Sequence, residues 1–227
     1  MKFLKESSLK RKAAEWAKNL GVPASDTGLA LSAPALLVLD MQNEFLNEAG
    51  QMPVWGGAAI IPRVAGLIRA FHTAGLPVVF SRHLCIEPFK HKDSLKVMGG
   101  ISEPAKFLCN GTSGARLHPG LPTAAEDIQI TKYRYSAFYD TALDTLLRVN
   151  HVAEVIITGV ATNICCQATA QDAFFRGYHV VFTVDGTGGI DEDSHLAALK
   201  TIQLAYGRVA LVGQVSDAVK RLAGNKG

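Results

Sequence analysis

From residue 34 onward the chain repeats one arrangement: a short apolar run, then a segment with helical spacing. The runs are ALLVLD (35–40), PVVFSR (77–82), DIQITK (127–132), EVIITG (154–159), HVVFTVDG (179–186) and RVALVG (208–213). They are rich in Val, Ile and Leu and do not alternate strictly with polar residues. That is how strands covered on both faces read. Between most of them lie GGAAIIPRVAGLIRAFHTAG, YDTALDTLLRVN, NICCQATAQDAFFRG and DEDSHLAALKTIQLAYG, whose apolar positions recur at helical spacing. Strand and helix in alternation constrain the chain to a parallel sheet with right-handed crossovers. The expected fold is therefore α/β: a three-layer α/β/α domain around a six-stranded, mostly parallel, Rossmann-like sheet.

The first 32 residues do not follow this pattern. Residues 2 to about 20 read as a helix, with Phe3, Leu4, Leu9, Ala13, Trp16, Ala17 and Leu20 near one stripe. The loop-forming stretch GVPASDTGLALSAP follows. The expected organisation is a helical arm with its linker, residues 1–32, docked on a main domain, residues 33–227. The longest gap between strands, 83–126, holds Pro and Gly and few periodic segments; loops of that length usually serve function.

Composition narrows the partners. The net charge of +3 is carried by scattered basic residues, apart from Lys10, Arg11 and Lys12. A nucleic-acid binder shows a denser basic face. The N-terminus has no apolar stretch of signal-peptide length, and no apolar run approaches the roughly 20 residues that span a bilayer. The four cysteines, Cys85, Cys109, Cys165 and Cys166, show no C-x-x-C spacing and no secreted disulfide framework. These features lead us to expect a reduced, cytoplasmic protein without nucleic-acid or membrane partners.

In open parallel sheets, ligands bind beyond the carboxyl ends of the strands. Asp40 ends the first strand, Lys132 ends the third, and Cys165 follows the fourth after the turn GVATN. Topology thus delivers a carboxylate, an amine and a thiol to one edge. A helix N-terminus and a nearby ammonium both favour a thiolate, Asp40 could serve as base and then acid, and backbone N–H groups around Ala161 and Cys165 would face a developing oxyanion. These parts suit acyl transfer through a thioester. The residues alone leave open whether Cys165, Cys166 or neither reacts.

The motifs resemble those of the isochorismatase-like cysteine hydrolases. DMQNEF (Asp40 to Phe45) is similar to that family's D-x-Q-N-x-F/Y. KYRYSAF (Lys132 to Phe138) is similar to its K-x-R-Y-S-x-F, and GVATNIC (Gly159 to Cys165) with TAQDAFFRGY to its nucleophile turn and tail. The resemblance spans roughly residues 34–215. It implies an Asp40–Lys132–Cys165 triad, with Cys166 as packing, and a cis peptide at Val160–Ala161 that aims the Ala161 N–H at the oxyanion beside that of Cys165. It implies that Phe45, His83 and Tyr135 line the substrate pocket. Nicotinamidases in that family hold a metal through an Asp and two His after the second strand. This chain reads SRHLCIEPFKH there, so no metal and no other cofactor is expected. The implied activity is hydrolysis of a small amide, carbamoyl or ureido compound, by a homo-oligomer (dimer or tetramer). A catalytically idle relative that binds a metabolite or protein, and a redox pair of Cys165 and Cys166, are the alternatives.

Other polar residues read more plainly. Cys85 and Cys109 read as filler. Asp172 and Arg176, at i and i+4, read as a supporting ion pair. Arg134 reads as a structural salt-bridge residue, and His195, behind Asp191 and Asp193, as capping or packing.

Overall fold

In the computed structural model the described residues are 3–23, 28–85 and 108–224. Residue 2 of the expected arm helix, residues 24–27 of the loop after it and residues 86–107, half of the 83–126 gap, therefore lie outside the described residues.

The strands are β1 (Pro34–Leu39), β2 (Val78–His83), β3 (Ile128–Lys132), β4 (Glu154–Val160), β5 (His179–Gly188) and β6 (Arg208–Ala210). They form one sheet in the order β3-β2-β1-β4-β5-β6, and every pairing is parallel. The helices among the described residues are α1 (Glu6–Asn19), α2 (Asn43–Leu46), α3 (Gly57–Thr73), α4 (Leu143–Val149), α5 (Gln167–Phe175), α6 (Glu192–Ala205) and α7 (Val212–Gly224). The α/β expectation holds, and the sheet is parallel throughout.

The central strands explain why the chain folds this way. Every residue of β1 and of β4 is buried, so both faces must be covered by helices. Strand order reverses between β1 and β4, which opens the crevice where such sheets bind ligands. Gly159 has φ +108°, and a Cβ on it would lie 2.1 Å from the Leu39 carbonyl oxygen. Only glycine fits both the conformation and the space.

Two expectations are corrected. RVALVG is not a strand to residue 213. Pairing with β5 ends at Ala210, and helix α7 begins at Val212, whose N–H donates to the buried Asp185 carboxylate at 2.7 Å. The spacing of Val212, Val215 and Val219, all buried, is helical, and the local apolar run concealed it. The short helix α2 inside DMQNEF was likewise not anticipated. Its chain direction is set by Asn43 and Glu44 N–H groups donating to the Arg116 and Gly114 carbonyls.

The arm helix is part of the core. Leu9, Ala13, Trp16 and Ala17 are buried, and Lys12 reaches Glu192 of α6 at 2.7 Å. Among the described residues, no helix is long and apolar enough to cross a membrane.

Candidate active site

The three side chains expected at the sheet's carboxyl edge meet. Asp40 follows β1 in the left-handed region (φ +51°), a conformation that Asp tolerates better than most residues. Its carboxylate faces Lys132 Nζ at 2.6 Å and accepts the Ser81 hydroxyl at 2.7 Å. Lys132 ends β3, two strands from β1, a separation of about 10 Å. The long amine spans it, passing over β2. Lys132 Nζ lies 3.5 Å from Cys165 Sγ, 3.1 Å from the Arg134 carbonyl and 3.2 Å from His83 Nδ1. An ammonium has no acceptor capacity, so His83 Nδ1 accepts and the ring proton sits on Nε2. Asp40, Lys132 and His83 are at most 1% exposed.

Cys165 does not sit in a plain α-helical first turn. Residues Thr162–Cys166 form a π-helical turn that runs into α5; such turns are frequent at functional sites. The Cys166 N–H donates to the Ala161 carbonyl at 3.1 Å, closing the wide ring. The Ile164 N–H donates to the same carbonyl at 3.0 Å. The Val160–Ala161 peptide that precedes the turn is cis. Thr169 braces the turn from α5, donating to the Cys165 carbonyl at 2.7 Å and accepting the Ala137 N–H at 3.0 Å.

The two cysteines have different surroundings. Cys166 is fully buried in the core cluster, with Sγ 3.9 Å from the Thr158 carbonyl oxygen. Burial also holds its thiol well above the usual range. Cys165 alone faces Lys132.

Charge at the site departs from the sequence expectation. Burial, the largest influence, pushes the Cys165 thiol up to about 12; Lys132 pulls it down, and a hydrogen bond to Asp40 keeps the proton on sulfur. The Cys165 side chain therefore rests as a thiol, because dehydration outweighs the ammonium and the helix terminus. Burial also disfavours the Lys132 charge, but the Asp40 carboxylate and Cys165 together hold the amine above its ordinary value.

Asp40, His83 and Cys165 each offer a metal-ligating atom, all within 4.8 Å of one another. Lys132 Nζ lies within contact of all three. An ammonium thus occupies the space between the donors, and this set does not fit a resident metal ion. Of SRHLCIEPFKH, only residues 81–85 are among the described ones.

Among the other expected residues, Tyr135 lies near His83, ring centroids 6.4 Å apart. Phe45 is buried on α2 in the hydrophobic cluster. Arg134 donates to the Tyr133 carbonyl at 2.8 Å, and Asp172 and Arg176 pair at 2.9 Å as expected. Two residues that hold the site had been given no role. Buried Gln42 accepts the His83 N–H at 2.7 Å and donates to the His83 and Ala115 carbonyls at 3.0 and 3.1 Å. Ser81 fixes the Asp40 carboxylate. Gln42 stands inside a motif and could have been found there; nothing local marks Ser81.

The isochorismatase domain family model matches residues 34–214. This chain belongs to that family. A relative, the ureidoacrylate amidohydrolase RutB of Yersinia enterocolitica, is 36% identical over 197 residues, covering 79% of this chain and 86% of the relative. Nicotinamidase 3 of Arabidopsis thaliana is 34% identical over 196 residues, covering 84% and 89%. Among similar solved structures, N-carbamoylsarcosine amidase from Thermoplasma acidophilum superposes with a TM-score of 0.67 at 27% identity, covering 80% of this chain and 97% of its own. The named activities of these three proteins all break a C–N bond outside a peptide.

Proposed function

We propose that this isochorismatase-domain protein is a hydrolase of C–N bonds in small amides, carbamoyl or ureido compounds, with Cys165 as nucleophile and Asp40 and Lys132 completing a triad. One observation carries the reading: Lys132 Nζ stands 2.6 Å from Asp40 and 3.5 Å from Cys165 Sγ, with all three side chains buried.

The chemistry follows from the protonation state. The thiol proton moves to Asp40 as sulfur attacks the carbonyl carbon. The carbonyl oxygen becomes an oxyanion, held by the Ala161 and Cys165 N–H groups. The C–N bond breaks as Asp40 returns the proton to the leaving nitrogen. A thioester remains. Water attacks it, giving its proton to Asp40; the C–S bond breaks and the thiolate takes that proton back. Lys132 keeps positive charge beside Asp40 and sulfur throughout. His83 and Tyr135 are proposed to contact substrate, supported by the position of His83 beside Lys132 and of Tyr135 near His83, and Phe45 to line the apolar wall.

The remaining proposals concern context. A homo-oligomer is supported by the exposed Phe174, Phe175 and Leu204, which lie on neighbouring helix ends; such patches mark contact surfaces, and light scattering measures the state. Residues 1–32 are proposed as an arm on the main domain, and the cytoplasm as the compartment, supported by the cysteine usage.

Ammonia release across a panel of amides and ureido compounds tests the function. We expect turnover of at least one compound, abolished in Cys165→Ala and retained in Cys166→Ala. Turnover that survives Cys165→Ala overturns the reading.

A further inference from the structure

His195 is 1% exposed and lies outside the triad. It does not cap its helix: Asp191 does, accepting the Ser194 N–H at 2.7 Å. A buried imidazole is costlier than a hydrocarbon of its size unless its polar atoms are used. Its Nδ1 is 2.9 Å from Thr162 Oγ1, and Thr162 opens the π-helical turn that carries Cys165. The imidazole in turn packs against the Trp16 ring of α1, centroids 4.7 Å apart. Trp16 is itself held, its Nε1–H donating to Glu192 at 2.8 Å beside Lys12. Burial pushes the His195 pKa down to about 4, so the ring stays neutral at working pH and acts as a fixed tie. A second tie reaches the turn from just before α6, the Ile190 N–H donating to the Asn163 side chain at 3.5 Å.

We propose that helix α1 positions the nucleophile's turn through Trp16, His195 and Thr162, making His195 a positioning residue for the reaction. The proposal rests on Cys165 being the nucleophile. A turn whose N–H groups must meet an oxyanion tolerates little displacement, and misplacement on the order of 1 Å costs about 100-fold in rate. The arm thereby contributes to turnover without touching substrate.

Four variants test it. Thr162→Val keeps shape and removes the hydroxyl. His195→Phe keeps the ring packing and removes the hydrogen bond. His195→Asn restores a polar atom near the Nδ1 position. Trp16→Leu removes the ring that orients the imidazole. For each, kcat and KM are measured per titrated folded protein on a compound that the wild type hydrolyses. The rate of Cys165 alkylation by chloroacetamide is measured alongside by mass. Thr162→Val and His195→Phe should lose about 10- to 100-fold in kcat with KM within about three-fold. Trp16→Leu should fall less in the same direction, His195→Asn should recover most of the loss, and alkylation should follow kcat. Unchanged kcat per folded site, a loss confined to KM, or His195→Asn no better than His195→Phe overturns the proposal. If no compound is hydrolysed by the wild type, the functional reading has failed. The alkylation rates then decide the inference alone, by the same ranking.

Discussion

Replacing Lys132 by Met should unfold the site from within. The amine is fully buried and holds Asp40 at 2.6 Å and the Arg134 carbonyl at 3.1 Å. Met is close in length but leaves a carboxylate buried without its counter-charge. Breaking a buried ion pair on one side costs about 3–5 kcal/mol, because the survivor cannot recover its hydration. Against a typical total of about 5–15 kcal/mol, that is a large share. For a chain of this size it lowers Tm by roughly 6–20 °C, at about 2–4 °C per kcal/mol. Adding Asp40→Asn removes the stranded charge and keeps an acceptor for Ser81. The double variant should therefore be more stable than Lys132→Met alone, with a coupling of about 2–3 kcal/mol across the cycle. Urea unfolding of the four proteins measures it. A single-variant loss below about 1 kcal/mol, or a double variant whose loss equals the sum of the two singles, refutes the argument that this pair is dry and mutually dependent.

Alkali should weaken the fold through Cys165. Its thiol titrates near 9.0 when unfolded and about 12 when folded, so the native state keeps a proton that the unfolded chain has lost. Stability is full below pH 9 and Cys165 lowers it between those values by up to about 4 kcal/mol; Cys165→Ala should make the urea-derived decline above pH 9 shallower, the buried Cys166 thiol and Tyr178 keeping their own share of it, and parallel profiles would exclude the burial effect. Gly159→Ala should not yield a native sheet, since its Cβ would press on Leu39 at 2.1 Å. Circular dichroism and soluble yield report this, and a folded protein within about 1 kcal/mol of wild type contradicts it. Cys166→Ala should lose about 1 kcal/mol, the burial of a group near methylene size, with its hydrolytic rate kept; a lost rate at normal stability would give the second thiol a chemical role.

The layered parallel sheet was legible in the chain because two-sided burial leaves a mark on the central strands: β1 is apolar throughout, and β4 carries Val155, Ile156, Ile157 and Val160 between Glu154, Thr158 and Gly159. The placement of Asp40, Lys132 and Cys165 was legible for a related reason. Parallel strands put all their carboxyl ends on one edge, so strand-terminal polar residues must share it. The end of β6 was not legible, because an apolar run of a few residues serves a strand and a helix start equally well. Pairing length with β5 and the Asp185 cap decided it.

The tertiary structure decided what no spacing encodes. Sequence alone argued for a thiolate, since a cation and a helix terminus lie near the sulfur. Only the packed structure shows how much water is excluded, and that exclusion reverses the sign. The same holds for His195. Its position behind two aspartates left capping and packing both open; Asp191 caps, and the imidazole packs between Trp16, far earlier in the chain, and Thr162. Local patterns report what each segment buries. Which distant side chains share one dry space, and so what protons they hold, depends on how those segments are brought together.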